Sequence, residues 1–331
     1  MRALILLCAT VALAALAVGT NVRTPEAQTN GGTYEVCRSD RDKIQAAGLP
    51  ETVRLENCPV GERVIRDHGI GTVLPAPGQI VYVEALTTGG SQELEVARYA
   101  NAPVELKYVG DDTEAARGEL EVRASRSPGE CADGGFNDLN YKVKGHLHWY
   151  FNSRTTPDEL ARKGALRAIR NGTGNIANTH NNCRLGDRVP SYVSITYDGS
   201  TRDRAQVTTG GDCVGNDGDS VVSFGRLPRA WLAMTCVIVD PESGYDRVKW
   251  SDLMLNKTSY NWTTRPDARS CRRKFDLAAA VTHERGHTFG LGHVSESSHA
   301  KLTMSGRSNG PCQSSERSLG LGDVRGLGNK Y

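Results

Sequence analysis

The residues best suited to chemistry lie in one short run, because residues 283–293 read HERGHTFGLGH. Two histidines four residues apart share one face of a helix, so His283 and His287 can reach the same metal ion. Imidazole nitrogen binds zinc at roughly 2.0–2.1 Å. Gly290 can take the left-handed conformation that ends a helix. The chain can then turn back and supply His293 as a third ligand, which leaves the fourth position open for water or substrate.

Glu284 stands beside the first histidine and is not needed as a ligand. From there its carboxylate can reach a water molecule on the metal. Zinc lowers the pKa of such a water to about 7, and a nearby carboxylate can accept its proton. The run therefore predicts a catalytic zinc site, with His283, His287 and His293 as metal ligands and Glu284 as the general base.

A methionine completes the pattern, because Met304 follows His293 within the turn-like segment 302–306. The string HExxHxxGxxH and this methionine together resemble the metzincin zinc endopeptidases, and the matrixins most closely. The resemblance implies an α+β catalytic domain, with a twisted mixed sheet, an active-site helix and a small C-terminal subdomain. It also implies one catalytic Zn²⁺ with the methionine turn beneath it, and hydrolysis of peptide bonds by metal-activated water.

The resemblance covers residues 140–331 approximately. The active-site helix should begin at Phe275-Asp276, with Asp276 as its N-cap. Residues 249–256 resemble the matrixin strand before that helix, and residues 318–327 resemble the closing helix. By the same resemblance, an extended protein or peptide substrate should pair with an edge strand at residues 232–239.

Two departures from the pattern concern residues that follow the third histidine. Val294 stands where matrixins usually have a serine, and Ser295 comes next. No tyrosine follows Met304 closely, which argues against the astacin and serralysin branches.

A second interpretation is a non-catalytic extracellular binding protein with a structural zinc. Structural zinc sites fill all four positions with protein ligands, and His299 is the candidate for the fourth. This interpretation leaves Glu284 without a purpose. A chance arrangement of surface histidines explains even less, since it accounts for neither Gly290 nor Met304.

The N-terminus and the composition predict the compartment. Met1-Arg2 precedes the apolar run 3–18, which is typical of a secretory signal peptide; Ala15-Leu16-Ala17 offers a cleavage site, and a cut nearer Ala27 stays open. Leucine before Cys8 argues against lipidation. The net charge of +2 is too balanced to favour nucleic acid or an acidic membrane surface. We expect a secreted, extracellular monomer without a membrane span.

The cysteines support that compartment, since removal of Cys8 with the signal peptide leaves an even number. We expect disulfides between nearest neighbours. Cys37 has an alternative role, because in matrixins a cysteine in a Pro-Arg-Cys-Gly segment keeps the enzyme latent. Its neighbours here lack that proline and glycine, so the disulfide is favoured. The expected pairs are 37–58, 131–183, 213–236 and 271–312.

Three parts are expected along the chain. Residues 1–28 hold the signal peptide and the start of the mature chain. Residues 29–130 form a small β-rich domain, either a propeptide or a retained module, with strands near 80–86, 94–97 and 104–109. A linker rich in Gly, Asp, Glu, Arg and Ser places the domain boundary near 125–135. Residues 138–331 form the zinc peptidase domain.

Several features of residues 138–331 allow other interpretations. His146 and His148 alternate along a strand over residues 145–152, and a satisfied pair is favoured over a metal site. The loop 210–219 is rich in glycine and aspartate, which allows a structural Ca²⁺ as an alternative. Its spacing does not fit an EF-hand, so a disulfide-pinned turn is favoured. Further strands are expected at 191–197 and 231–240.

Local signals also predict one more helix and three glycosylation sequons. Thr156 as N-cap and Pro157 at the first helical position predict a helix that ends near Asn171-Gly172. The sequons begin at Asn171, Asn256 and Asn261 and would carry glycans only in a host with the machinery.

Overall fold

A large mixed sheet forms the centre of the protein. The computed structural model describes residues 43–45, 49, 52–53, 58–61, 64–67, 69–110, 127–186, 189–190, 193–215 and 217–331. The expected signal peptide, residues 1–28, and Cys37 lie outside these residues. The strands are β1 Lys43–Gln45, β2 Thr52–Val53, β3 Val64–Asp67, β4 Ile70–Val73, β5 Gln79–Thr87, β6 Gln92–Arg98, β7 Val104–Gly110, β8 Asn137–Asp138, β9 Tyr141–Lys142, β10 His146–Phe151, β11 Ser194–Ser200, β12 Asp212–Cys213, β13 Val221–Gly225, β14 Trp231–Asp240, β15 Asp246–Asn256, β16 Asn261–Thr263, β17 Lys274–Asp276 and β18 Leu291–Gly292. The helices are α1 Arg162–Ala177, α2 Leu277–Thr288, α3 Glu296–His299 and α4 Leu321–Lys330, and two short 3₁₀ helices span Ser153–Thr155 and Ser315–Arg317.

The protein is of the mixed α/β kind, with one ten-stranded sheet in the order β11-β10-β13-β15-β14-β5-β6-β7-β2, while β9 also pairs with β15. Strands β10, β11, β13 and β15 are parallel, and β14 is antiparallel to β15. Helices α1 and α2 pack on one face through an apolar cluster that includes Ile169, Val281 and Leu253. A four-stranded sheet, β1-β3-β4-β12, belongs to a second cluster, which includes Ile65 and Val83.

Residues on both sides of the expected domain boundary share the large sheet. Strand β5 pairs antiparallel with β14 from Ile80 opposite Val239 to Thr87 opposite Trp231. Almost every residue of β5 is buried, so this strand needs packing partners on both faces and cannot stand at the surface of a separate domain. The region 29–130 is β-rich as expected, but the described part of it is not a second domain, and residues 33–331 form one compact unit.

The expected edge strand is an interior strand, and this expectation was wrong. Strand β14 has β15 on one side and β5 on the other. The resemblance to the matrixins suggested that β14 is an edge strand, but it covers only residues 140–331 approximately. It therefore says nothing about the pairing of residues 29–130. Strand β5, which carries Ile80, Val81 and Val83, supplies the hydrogen-bonding partner that an edge strand lacks.

Helix α1 begins later and ends later than expected. The hydroxyls of Thr155 and Thr156 bond back to carbonyls of the preceding turn, so Thr156 does not cap a helix, and α1 starts at Arg162. Gly172 does not end it. A Cβ there would lie 2.7 Å from the carbonyl oxygen of Ala278 and 2.8 Å from Val281, so this glycine permits close packing of α1 on α2.

Three of the expected disulfides are present: Cys131–Cys183, Cys213–Cys236 and Cys271–Cys312. Cys58 is also disulfide-bonded, while the pairing with Cys37 stays a prediction because Cys37 lies outside the described residues. Three disulfides are compatible with an extracellular protein. Among the residues described, no helix has the length and apolar character needed to cross a membrane.

One expected glycosylation sequon begins at a fully buried asparagine. The side-chain nitrogen of Asn256 donates a hydrogen bond to the carbonyl of Trp231 at 2.8 Å, inside the sheet. Folded protein cannot carry a glycan there, whereas Asn171 and Asn261 are exposed.

Glu316, a buried carboxyl beside the N-terminus of α2, should make stability depend on pH. Burial, helped by the charges of Asp276 and Glu296, raises the pKa of Glu316 to about 7, although a hydrogen bond from the backbone N–H of Asn309 lowers it. In the unfolded chain a glutamate titrates at about 4.3. The folded state therefore binds this proton more tightly. Its stabilisation is complete below about pH 4.3 and is lost as the pH rises to about 7.

We expect Glu316→Gln to flatten the decline of the unfolding free energy over this window, by up to about 1.4 kcal/mol per pH unit. Urea unfolding at pH 5 and pH 7 measures the difference, with the exposed Glu130→Gln as the control. If the unfolding free energies of the wild type and of Glu316→Gln changed by the same amount between pH 5 and pH 7, this prediction would be wrong.

Candidate metal centre

Three histidines converge at the end of α2 with their Nε2 atoms facing one another. The Nε2 atoms of His283 and His287 are 3.0 Å apart, and that of His293 lies 3.0 Å from the first and 3.2 Å from the second. Ligands at roughly 2.0–2.1 Å from a tetrahedral zinc are separated by about 3.3 Å. The three histidines predicted as ligands therefore lie together, at a spacing that could hold one metal ion.

The opposite nitrogen, Nδ1, is already engaged in two of the three rings. Nδ1 of His283 lies 2.7 Å from the carbonyl oxygen of Thr303, and Nδ1 of His287 lies 2.8 Å from that of Leu291. A carbonyl can only accept, so both Nδ1 atoms carry the proton and both Nε2 atoms present lone pairs. Burial lowers the pKa of His283 to about 3 and that of His287 well below its usual value, and the charge of His293 adds to both effects. Two lone pairs that face one point, with Nε2 of His293 within 3.2 Å of both nitrogens, suit a set of metal ligands.

Two glycines at the end of α2 are needed for different reasons. Gly290 has a φ of +86°, the left-handed conformation expected of it, and so delivers His293 back to the helix. At Gly286 a Cβ atom would overlap the sulfur of Met304. The methionine is 1% exposed and packs directly under the helix that holds two of the histidines. Met304 thus lies where the sequence pattern predicted.

The N-terminus of α2 is fixed as expected at Asp276. Its carboxylate accepts a hydrogen bond from the backbone N–H of Ala278 at 3.2 Å. The guanidinium of Arg317 holds the same carboxylate through two contacts, of 2.5 and 2.6 Å. The helix that carries the histidines is therefore anchored to the C-terminal part of the chain, as the disulfide Cys271–Cys312 also ensures.

Glu284 is completely buried between α2 and the sheet. Its Oε2 accepts a hydrogen bond from the hydroxyl of Thr235 on β14, and the backbone N–H of Leu86 on β5 faces the same carboxylate. Its Oε1 has no hydrogen-bond partner among the residues that the structure describes. Burial raises the pKa of Glu284 to about 8, while these two groups and the charge of Arg285 lower it. A buried carboxylate oxygen without a partner among the described residues, beside three convergent imidazole nitrogens, fits a site made for a metal and its water.

Two carboxylates that the sequence analysis did not single out also reach this site. Glu84 on β5 and Glu93 on β6 lie directly opposite each other and are only 2% and 7% exposed. Oε1 of Glu93 lies 2.7 Å from the backbone nitrogen of His293 and 2.8 Å from its Nδ1. One signal was present in the sequence: Glu84 interrupts the apolar run IVYVEAL, which is too apolar to be an exposed strand.

The hairpin β5–β6 thereby covers the histidines. Glu84 is opposite Thr235, the residue that contacts Glu284, so both side chains point to the same face of the sheet. The side chains of His283, Glu284 and His287 are 0% exposed. In this conformation a substrate has no access to them.

The other candidate ligands lie elsewhere. Nδ1 of His299 is 2.7 Å from Asp133, so His299 is engaged away from the three histidines. Outside the cluster, Nδ1 of His148 is 2.8 Å from Asp198, and His146 contacts Ser194. These two are satisfied strand residues, as favoured from the sequence.

Two acidic residues of the glycine-rich loop 210–219 contact other side chains of the protein. Asp212 pairs with Arg66 and accepts a hydrogen bond from Thr208 at 2.9 Å, while Asp217 contacts Gln206. Cys213 pins the loop to β14. The loop is thus the disulfide-pinned turn favoured from the sequence.

Comparison with known proteins assigns neither a family nor a function to the chain. The chain matches no protein-family model. It also has no significant sequence match among curated proteins.

Proposed function

We propose that the protein is a secreted zinc endopeptidase related to the metzincins, folded here in a closed, latent form. The observation that carries the proposal is the convergence of three Nε2 atoms within 3.0–3.2 Å, with Glu284 beside them. His283, His287 and His293 would hold the ion. Bound zinc would supply Lewis-acid polarisation of the peptide carbonyl and an acidified water.

The residues of the chain supply the proton transfers and the positioning. Glu284 accepts the proton of the attacking water and passes it to the nitrogen of the leaving amine, as a general base and then a general acid. Thr235 orients its carboxylate by hydrogen-bonding Oε2, which directs the unpartnered Oε1 toward the reacting groups. Strand β14, with β5 displaced, offers the backbone donors and acceptors that an extended substrate needs.

Latency follows from where β5 lies. The hairpin takes up the side of β14 on which the substrate would pair, and Leu86 on β5 faces the carboxylate of the general base. Peptide hydrolysis then requires that the hairpin leave. This accounts for residues 29–130 as an inhibitory segment rather than an independent binding module.

The alternative, a binding protein with a structural zinc, finds less support. Its candidate fourth ligand, His299, is engaged with Asp133. It also gives no reason for a buried Glu284 whose Oε1 is unpartnered among the described residues.

Metal removal tests the proposal. We expect the mature chain to bind one zinc, and the form with the hairpin released to cleave an unfolded protein substrate. A chelator should abolish cleavage, and added zinc should restore it. Mass spectrometry of the cleavage products and metal analysis are the measurements. If the released, zinc-loaded chain cuts no peptide, the binding-protein alternative is favoured.

A further inference from the structure

The cross-strand pair Glu84–Glu93 is unusual for the inside of a sheet. Like charges directly opposite each other on neighbouring strands destabilise a hairpin, and burial increases that cost. Both side chains are at least nine-tenths buried, and both point toward His293. A positive charge nearby would relieve this repulsion, and a bound divalent cation at the three histidines would provide one.

The contacts with His293 are specific. Oε1 of Glu93 accepts a hydrogen bond from the backbone N–H of His293. The same oxygen lies 2.8 Å from Nδ1 of His293, without the alignment of a hydrogen bond. Glu84 Oε2 lies 3.7 Å from Nδ1 and has no hydrogen-bond partner within the described part of the chain. Nδ1 of His283 and Nδ1 of His287 each contact a carbonyl near α2, although that of His287 also lies 4.0 Å from Glu84. Among the described residues, Nδ1 of His293 is the closest of the three to the hairpin carboxylates.

We infer that the hairpin β5–β6 is part of the metal centre: Glu93, supported by Glu84, positions His293, so that metal binding and closure of the hairpin favour each other. The inference rests on the zinc site of the proposed function. Carboxylates that orient a metal-bound histidine raise its basicity, and their loss typically weakens metal affinity 10–100-fold. Glu93 is a positioning residue, since it acts through His293.

Reciprocity makes a second consequence necessary. If a closed hairpin strengthens metal binding by some factor, the metal strengthens closure by the same factor. Zinc should therefore protect the backbone amides of residues 79–98, and loss of zinc should loosen the segment that blocks the site.

Competition with a chromophoric chelator measures zinc affinity in the intact chain. We expect Glu93→Ala to weaken it about 10–100-fold. Glu93→Gln, which keeps an acceptor and the side-chain shape, should recover part of the loss, and Glu84→Gln in addition should deepen it. Glu105→Gln, on the exposed side of β7, is the matched control and should bind zinc like the wild type. Should the alanine variant fail to fold, the near-isosteric Glu93→Gln decides.

Hydrogen exchange gives the second readout. Zinc should slow deuterium uptake in residues 79–98 of the wild type, and slow it less in the Glu93 variants. One outcome overturns only this inference: a wild type that binds one zinc with the same affinity as folded Glu93→Ala or Glu93→Gln. A wild type that binds no zinc overturns the proposed function as well.

Discussion

Release of the hairpin should switch on peptide hydrolysis. An engineered protease site placed between Gly110 and Ser127, followed by cutting and separation of the N-terminal piece, should raise turnover by roughly 10–1000-fold. The factor follows if the intact chain is open for only about 0.1–10% of the time. The physical reason is that β5 pairs with β14 from Ile80 to Thr87 and places Leu86 against the carboxylate of Glu284.

Fluorogenic peptide cleavage by zinc-loaded protein, before and after separation, is the measurement. The uncut chain with the same engineered site is the control. Equal turnover before and after separation, with zinc retained in both, would contradict a latent role for the hairpin while leaving the peptidase assignment intact.

Glu284→Gln should abolish most of the activity of the released form. General acid–base catalysis contributes about 10²–10⁴ in rate, and glutamine cannot accept the proton. The amide retains the size of the side chain and can still accept a hydrogen bond from Thr235. We therefore expect kcat to fall by that factor while one zinc stays bound.

The matched control is His299→Ala, which removes a histidine near the site in sequence but paired with Asp133 in space. It should leave both zinc content and turnover unchanged. Unchanged turnover in Glu284→Gln would exclude Glu284 as the general base, and loss of zinc in His299→Ala would revive the structural-zinc alternative.

The convergence of the three histidines could be predicted from the sequence because its geometry is local. His283 and His287 are positioned by one helix, and Gly290 returns His293 within six residues of His287. Asp276 as N-cap and three of the disulfides were likewise predictable, because capping and nearest-neighbour pairing depend on short separations.

The lid over the centre could not be predicted, since it depends on pairing between distant strands. Nothing in the composition of residues 79–87 says that they will lie beside residues 231–240. A strand with buried residues on both faces only requires some partner. For the same reason Glu93 was missed: it reaches His293 across two hundred positions of chain.

The positions of the disulfides decide whether release of the hairpin β5–β6 is reversible. The three bridges with both cysteines described all join residues between 131 and 312, on the C-terminal side of Gly110. None of those three would tether the hairpin once the chain is severed before Ser127. While the peptide connection is intact, the inhibitory strand is present at a high effective concentration. After severance it would be lost by dilution into the surroundings, which makes activation a one-way event.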